Sequence, residues 1–230
     1  MEKKSVLDQW IKYEKVIIPF FTFCFIGLSY FLADFINLYL MERYGRFVHL
    51  VTKADGYIPF LPEFVFAYIT YYFYPFLIMV VVRKREALYL GALSFIILQI
   101  ISPISFILIP SKMIRPFVEA GVGIEFDLVR LIYSIDSGFN LLPSLHVAHT
   151  TLVTLMYFYT RHTWRYGVAV ITFFICCSTV LIKQHYFIDI PFGLLFAFGS
   201  FTGGLSLAKI LEKPLHLEEG AFRLRNIERG

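Results

Sequence analysis

The stretch that decides the fold opens with NLLPSLH at residues 140–146 and closes with STVLIKQHYFID at residues 178–189. Between these two polar clusters lie two apolar runs joined by a basic turn, RHTWR, at residues 161–165. Apolar runs of this kind are typical of membrane-spanning helices. A pair of spans that crosses the bilayer and returns brings both ends of the stretch to one membrane face. The sequence therefore predicts that two histidines, a serine and an aspartate converge there.

The composition of the whole chain indicates a membrane protein. Of the 230 residues 58% are apolar and 17% are charged, and the mean hydropathy is +0.68. A soluble domain averages about 45–50% apolar residues. The net charge of +4 comes from Lys and Arg residues that flank apolar runs, which argues against a nucleic-acid partner. We predict an all-α, polytopic protein that forms a single membrane-embedded domain over residues 1–230.

Six apolar segments predict six transmembrane helices, at residues 16–40, 63–82, 87–109, 145–159, 166–182 and 188–207. Residues 1–15 carry apolar side chains at helical spacing and predict a short helix on the membrane surface. Asp34, near the end of the first span, is interpreted as a residue at the interface or facing the bundle. A long loop at 110–143 predicts an amphipathic helix whose apolar face contains Ile124, Leu128, Leu131 and Ile132.

The distribution of basic residues predicts the orientation of the chain. With alternating spans, one face receives both termini and the larger share of the 21 Lys and Arg residues. Cytoplasmic segments carry this excess in membrane proteins. We therefore expect cytoplasmic N- and C-termini. The two polar clusters and the 110–143 loop then lie on the extracytoplasmic side.

The residue types in the clusters suit nucleophilic and acid–base chemistry. An aspartate at position 189 that accepts a hydrogen bond from one ring nitrogen of His185 makes the other nitrogen a better nucleophile. Ser144 is a natural N-cap, and the backbone N–H groups of a helix start bind anions such as phosphate. His146 would then be placed to protonate a leaving oxygen.

Three basic residues on the same predicted face could bind phosphate oxygens. Lys112 and Arg115 lie in the loop before the first cluster, and Lys183 lies two residues before His185. A bidentate guanidinium matches phosphate geometry and stabilises extra negative charge in a transition state. Lys183 could equally be an ordinary lysine that extends towards the membrane surface.

Two other interpretations compete with this chemistry. His146, His149, His185 and Asp189 could together ligate zinc or iron, although we favour a packing role for His149. The polar residues could instead line a transport path, but transporters often carry inverted repeats and interrupted spans, and the sequence contains neither.

The two clusters resemble known signatures. Pro143-Ser144-Leu145-His146 is similar to the second signature of the type 2 phosphatidic acid phosphatase superfamily, and residues 178–189 are similar to its third. The residues of these two signatures are most similar to those in the branch of inositol phosphorylceramide synthases and their bacterial relatives, in which leucine, here Leu145, replaces glycine. The resemblance covers about residues 105–200, and the six-span plan fits the whole chain.

The resemblance implies a metal-independent phosphoryl transfer that needs no cofactor. It assigns His185 as the nucleophile that forms a phosphohistidine, Asp189 as its orienting partner and His146 as the general acid. Ser144 and Arg115 are implied as phosphate contacts. Two positions depart from the pattern: Thr179 replaces the usual arginine, and Leu108 stands where the first signature has its lysine.

The expected activity is that of a lipid phosphatase or phosphotransferase, whose partners are the bilayer and a lipid phosphate or phospholipid. The smaller number of phosphate-binding cations leaves room for a phosphotransferase that exchanges head groups between lipids. The sequence does not identify the lipid, the acceptor or the oligomeric state.

Overall fold

A computed structural model describes residues 6–45, 47–74, 77–78 and 85–211, with side chains from residue 13 onward. Within these residues the protein is all-α, with seven α-helices and no strand. They are α1 (Val6–Tyr44), α2 (Val65–Ile69), α3 (Arg85–Leu108), α4 (Ile124–Ile135), α5 (Leu145–Tyr159), α6 (Arg165–Leu181) and α7 (Asp189–Leu211). Short 3₁₀ turns precede and follow α2, at Pro62–Phe64 and Thr70–Phe73.

Three helices are long and apolar enough to cross a bilayer: Tyr13–Tyr44 within α1, α3 and α7. Helix α6 is apolar but has 17 residues, and α5 has 15. At about 1.5 Å per residue α5 spans about 22 Å, less than a bilayer core of about 30 Å. The second predicted span is helical from Val65, but its end at 79–82 lies outside the described residues, as does the chain from 212 onward.

The N-terminal surface helix and the first span are one continuous element. Helix α1 runs without a break over 39 residues, with Pro19 inside it. Its length of about 58 Å exceeds the thickness of a bilayer core. Near its start the buried Glu14 pairs with Arg85 of α3 at 3.0 Å, which ties the two helices together at the end far from the polar clusters.

Helix α5 is the centre of the bundle. Ten of its residues are buried, and it packs against α3, α6 and α7. Gly193 allows α7 to approach the start of α5, because an added Cβ would lie 2.8 Å from the Ser144 carbonyl oxygen. Helix α1 packs on α3, and α2 packs on α6. The first turn of α5 is thereby held among the ends of the other helices.

The amphipathic helix in the long loop exists, but it is rotated relative to the predicted face. Ile132 is buried and Leu128 is partly buried, whereas Ile124 and Leu131 are 68% and 54% exposed. Val129 is fully buried instead. The reason is that α4 packs on α2 and the turn before it through one cluster that contains Val65, Tyr68, Val129 and Ile132. This contact brings α2 against the long loop.

Candidate active site

The second polar cluster forms a tight turn between α6 and α7. The carbonyl oxygen of Thr179 accepts hydrogen bonds from the backbone N–H groups of Gln184 and His185, at 2.9 and 3.0 Å. Lys183 adopts a left-handed conformation with φ of 53°, which reverses the chain after the helix end. Oδ2 of Asp189 accepts the Tyr186 N–H at 2.8 Å where α7 begins. The turn therefore fixes the backbone of His185 on both sides.

His185 and Asp189 form a buried pair. The Nδ1 atom of His185 lies 3.2 Å from Oδ2 of Asp189, and the two residues are 6% and 0% exposed. The contact arises through the turn, since His185 precedes α7 rather than lying on it. A carboxylate only accepts hydrogen bonds, so Nδ1 carries the hydrogen and Nε2 keeps its lone pair. Nε2 is thus the ring nitrogen that can act as a hydrogen-bond acceptor, a base or a nucleophile.

His146 faces that nitrogen from the first turn of α5. Its Nδ1 atom lies 3.4 Å from Nε2 of His185. Ser144 is the N-cap of α5, because its Oγ accepts the Val147 N–H at 3.4 Å, and its own N–H donates to the carbonyl oxygen of Asp189 at 3.2 Å. Ser144 is fully buried and positions the helix start; it does not line the cavity described below.

A tyrosine from α2, which the sequence analysis did not identify, completes the row of side chains. The hydroxyl of Tyr68 lies 2.7 Å from Nε2 of His146, and Tyr68 is 1% exposed. When both histidines are neutral, matching donors to acceptors gives one continuous series of hydrogen bonds. Tyr68 donates to His146 Nε2, His146 Nδ1–H donates to His185, and His185 donates to Asp189. The pair of histidines is held from both ends.

His149 belongs to a neighbouring hydrogen-bond network. Gln99 donates its Nε2 hydrogen to the carbonyl of Ile26 at 3.1 Å, so its Oε1 accepts from His149 Nε2 at 3.3 Å. His149 Nδ1 then accepts from the Tyr71 hydroxyl at 2.9 Å. Both ring nitrogens are therefore engaged by protein groups. The described residues contain no group of three or more histidine, cysteine or acidic side chains placed to hold a metal.

Arg115 lies beneath the site rather than in it. Nη2 donates to Oδ1 of Asp136 and to Oε1 of Gln184, both at 2.6 Å. Nη1 donates to the carbonyl oxygens of Asp136 at 2.7 Å and Tyr133 at 3.2 Å. The guanidinium also stacks on the Tyr133 ring, 4.6 Å from its centroid. These contacts use both Nη groups of the fork on the protein itself.

The two lysines that were predicted to bind phosphate point to other partners. Lys112 Nζ lies 3.7 Å from the sulfur of Met41 and 5.1 Å from the ring centroid of Phe139. Lys183 Nζ donates to the Ile58 carbonyl at 2.6 Å. Burial lowers the pKa of Lys183, and the carboxylate of Asp55 opposes that shift. Neither lysine lines the cavity that contains the histidines.

The histidines open into a cavity of about 400 Å³. Polar groups from α1 and from the segment after α4 line it together with His146 and His185: Tyr30, Asp34, Asp136, Ser137 and Asn140. Asp34, interpreted from the sequence as interfacial or facing the bundle, accepts hydrogen bonds from Ser137 Oγ and from Asn140 Nδ2. A second, apolar cavity of about 190 Å³ lies among α1, the segment that follows α2, α3 and α5. Ile26, Tyr71, Tyr72 and His149 line both cavities.

Comparison with protein families gives a match. The model of the PAP2 superfamily covers residues 40–203, which includes both polar clusters and the cavity wall after α4. The chain belongs to the PAP2 superfamily. Comparison with curated proteins and with solved structures gave no match. Members of the PAP2 superfamily are generally phosphatases or phosphotransferases, and three apolar helices indicate that this member is a membrane protein.

Proposed function

We propose that this PAP2 superfamily protein is an integral membrane enzyme that cleaves a lipid phosphate ester through a phosphohistidine on His185. The observation that carries the proposal is the pair of contacts on that ring. Asp189 holds Nδ1 at 3.2 Å, while Nε2 faces His146 at 3.4 Å. A nucleophile whose other nitrogen is fixed by a buried carboxylate, beside a second proton-carrying ring, is the arrangement that covalent catalysis needs.

In the first step the P–O ester bond breaks as a bond forms between phosphorus and Nε2 of His185. The substrate phosphoryl group enters between the two rings and replaces their mutual hydrogen bond. His146, in its protonated form, gives its Nδ1 hydrogen to the leaving oxygen. The Tyr68 oxygen, 2.7 Å from His146 Nε2, accepts from the protonated ring and donates to the neutral one. It therefore keeps His146 in one orientation in both states.

In the second step an acceptor hydroxyl attacks the phosphohistidine. Neutral His146 takes the proton of that hydroxyl at Nδ1, the P–N bond breaks, and His185 returns to its resting form. Water as the acceptor makes the enzyme a phosphatase. An alcohol on a second molecule makes it a phosphotransferase, and the hydrogen-bonding wall of Asp34, Ser137 and Asn140 favours this alternative by offering partners for a hydroxyl group.

The apolar cavity supports a lipid as the substrate. It meets the active-site cavity at Tyr71 and Ile26, so an acyl chain can lie beside α1 and α3 while the phosphate reaches His185. We propose six spans, of which α5 and α6 are the short ones, and an active site on the extracytoplasmic side. The basic residues 161 and 165 lie in the turn before α6 and at its first position, at the end of the bundle opposite the histidines, which supports this orientation.

The test is turnover by the purified protein in detergent and EDTA, on a panel of lipid phosphates and phosphodiesters. Free phosphate and new lipid products are both measured. We expect His185→Ala to abolish turnover and to remove a phosphoenzyme that is labile in acid and stable in base, while the exposed His49→Gln retains both. Activity that EDTA removes and a metal restores would contradict the proposal, and so would turnover that survives His185→Ala. Transport without turnover would favour the transporter interpretation.

A further inference from the structure

The charge of the active-site cavity is unusual for a phosphate-binding site. Two carboxylates, Asp34 and Asp136, line it, and no Lys or Arg within the described residues does. Arg115 pairs with Asp136 at 2.6 Å, so these two charges cancel. The positive charge of Arg115, which was predicted to contact the substrate, is therefore neutralised by a carboxylate of the protein itself.

Asp34 is the charge that remains uncompensated. Its Oδ1 atom accepts from the Ser137 hydroxyl at 2.5 Å and from the Asn140 amide nitrogen at 3.4 Å. Both donors are neutral, and the ion pairs among the described residues do not include Asp34. Neutral donors support a carboxylate without cancelling its charge, so the wall that it shares with the histidines repels anions.

Gln184 carries a neutral donor next to the same cavity. It is 3% exposed and lines the cavity beside His185. Its Oε1 accepts from Arg115 at 2.6 Å, which leaves Nε2 as the donor end of the amide. Nε2 is buried and has no hydrogen-bond partner among the described residues. A buried donor without an acceptor is costly, and a phosphoryl oxygen of a bound substrate would satisfy it.

We infer that this site selects singly charged phosphodiesters over doubly charged phosphomonoesters. Gln184 binds the phosphoryl oxygen, and Asp34 excludes the second negative charge. The inference rests on the proposed function and names its substrate class. A phosphate monoester carries a charge of about −1.5 to −2 near pH 7, because its second pKa is about 6. A diester has no second ionisable group and carries one charge, so it meets less repulsion from Asp34.

The chemistry follows the two steps above. One P–O ester bond of the diester breaks as the P–N bond to His185 forms, and the released alkoxide takes the proton of His146. The phosphohistidine keeps its other ester group. Transfer to an acceptor alcohol then restores a diester, and the proton of that alcohol returns to His146. No oxidant, reductant or nucleotide takes part.

The test compares donors that share the same dioleoyl chains: phosphatidic acid, phosphatidylglycerol and phosphatidylinositol, in mixed micelles with EDTA. We expect the wild-type kcat/KM for at least one diester to exceed that for phosphatidic acid by about tenfold or more. Asp34→Asn keeps the shape and removes the charge. It should shift the ratio towards phosphatidic acid by about tenfold, whereas the exposed Glu119→Gln leaves the ratio unchanged.

Gln184→Ala tests the neutral donor. It should lower kcat/KM for the monoester and the diesters alike, because both present a phosphoryl oxygen to the same amide. Wild-type preference for phosphatidic acid with dependence on His185 would overturn the inference and leave the proposed function standing. An unchanged donor ratio in Asp34→Asn would overturn the role of Asp34. Absence of any turnover that depends on His185 would overturn the proposed function and the inference together.

Discussion

The hydroxyl oxygen of Tyr68 lies 2.7 Å from Nε2 of His146, a contact between residues 78 positions apart in the chain. We expect Tyr68→Phe to lower kcat by about tenfold, since one hydrogen bond contributes about 0.5–1.5 kcal/mol. KM should change little, because Tyr68 acts through His146 and not on the substrate in this mechanism. Steady-state kinetics would separate the two constants. Tyr166→Phe, an exposed position at the start of α6, is the matched control.

The outcome that would contradict this role is a rise in KM at constant kcat. That pattern would mean that Tyr68 shapes the cavity for substrate binding without steering the ring of His146. Thermal stability of both variants in detergent is compared in the same experiment. Loss of the buried hydroxyl contact then cannot be mistaken for loss of folded protein.

The carboxylate of Asp189, which pairs with His185, gives a second prediction. Asp189→Asn retains the size of the side chain but replaces the acceptor that fixes the His185 hydrogen on Nδ1. We expect kcat to fall by about 10³-fold or more, as is found when the carboxylate of a buried catalytic triad is replaced by an amide. The phosphoenzyme yield after rapid quenching measures the step directly. Nearly normal yield with Asn would show that Asp189 serves only the turn, where it accepts the Tyr186 N–H.

Close approach of α7 to α5 can be tested with two glycines on one helix. An added Cβ at Gly193 would meet the Ser144 carbonyl and Val147 at 2.8 Å, whereas at Gly199 it would meet nothing within 4 Å. Gly193→Ala should destabilise the protein by about 1–3 kcal/mol, as overpacking does, and should lower activity by displacing His146. Gly199→Ala should leave stability unchanged or raise it by up to about 1 kcal/mol.

Thermal unfolding in one detergent compares the pair. Equal stability of the two variants would contradict the inferred contact between α7 and the start of α5. If Gly193→Ala proved destabilised yet fully active, the displacement of His146 would be excluded as a consequence.

Sequence reasoning reached the helical class and the convergence of the two clusters for a simple reason. Apolar runs report burial in lipid, and a pair of crossing helices returns to its starting face whatever its side chains do. The spacing between His185 and Asp189 likewise predicted their contact, although a turn rather than a helix produces it. Each of these predictions depended on residues or helices that are neighbours in the sequence.

The partners that lie far apart in sequence could not be found in this way. Nothing in the sequence pattern of residues 65–73 distinguishes Tyr68 from Tyr71 and Tyr72, because their roles depend on which helix they meet. Arg115 was predicted to contact phosphate because its residue type suits phosphate, but its partners Asp136 and Gln184 depend on the path of the loop. The predicted buried face of α4 was wrong for the same reason. Ile124 and Val129 are both apolar, and packing on α2 determines which of them is buried.

Arg115 also gives a prediction that distinguishes the role of its forked guanidinium from the role of its positive charge. Arg115→Lys retains the positive charge but cannot bond Asp136, Gln184 and the loop carbonyls together. We expect kcat/KM to fall by about tenfold to hundredfold, because the Gln184 amide loses its orientation. Arg130→Lys, on the exposed side of α4, is the control. Wild-type activity in Arg115→Lys would show that charge alone matters here and that the forked geometry does not.

The last prediction concerns the two lysines. Lys112 and Lys183 contact Met41 and Ile58, and neither lines the cavity in which we propose that the phosphate binds. We expect Lys112→Met and Lys183→Asn to change kcat/KM by less than about threefold, which is below 1 kcal/mol. Asparagine is chosen at 183 because φ is 53° there and asparagine tolerates the left-handed region. A fall of about a hundredfold for either variant, with the fold intact by thermal unfolding, would return that lysine to the phosphate site and weaken the case for a singly charged donor.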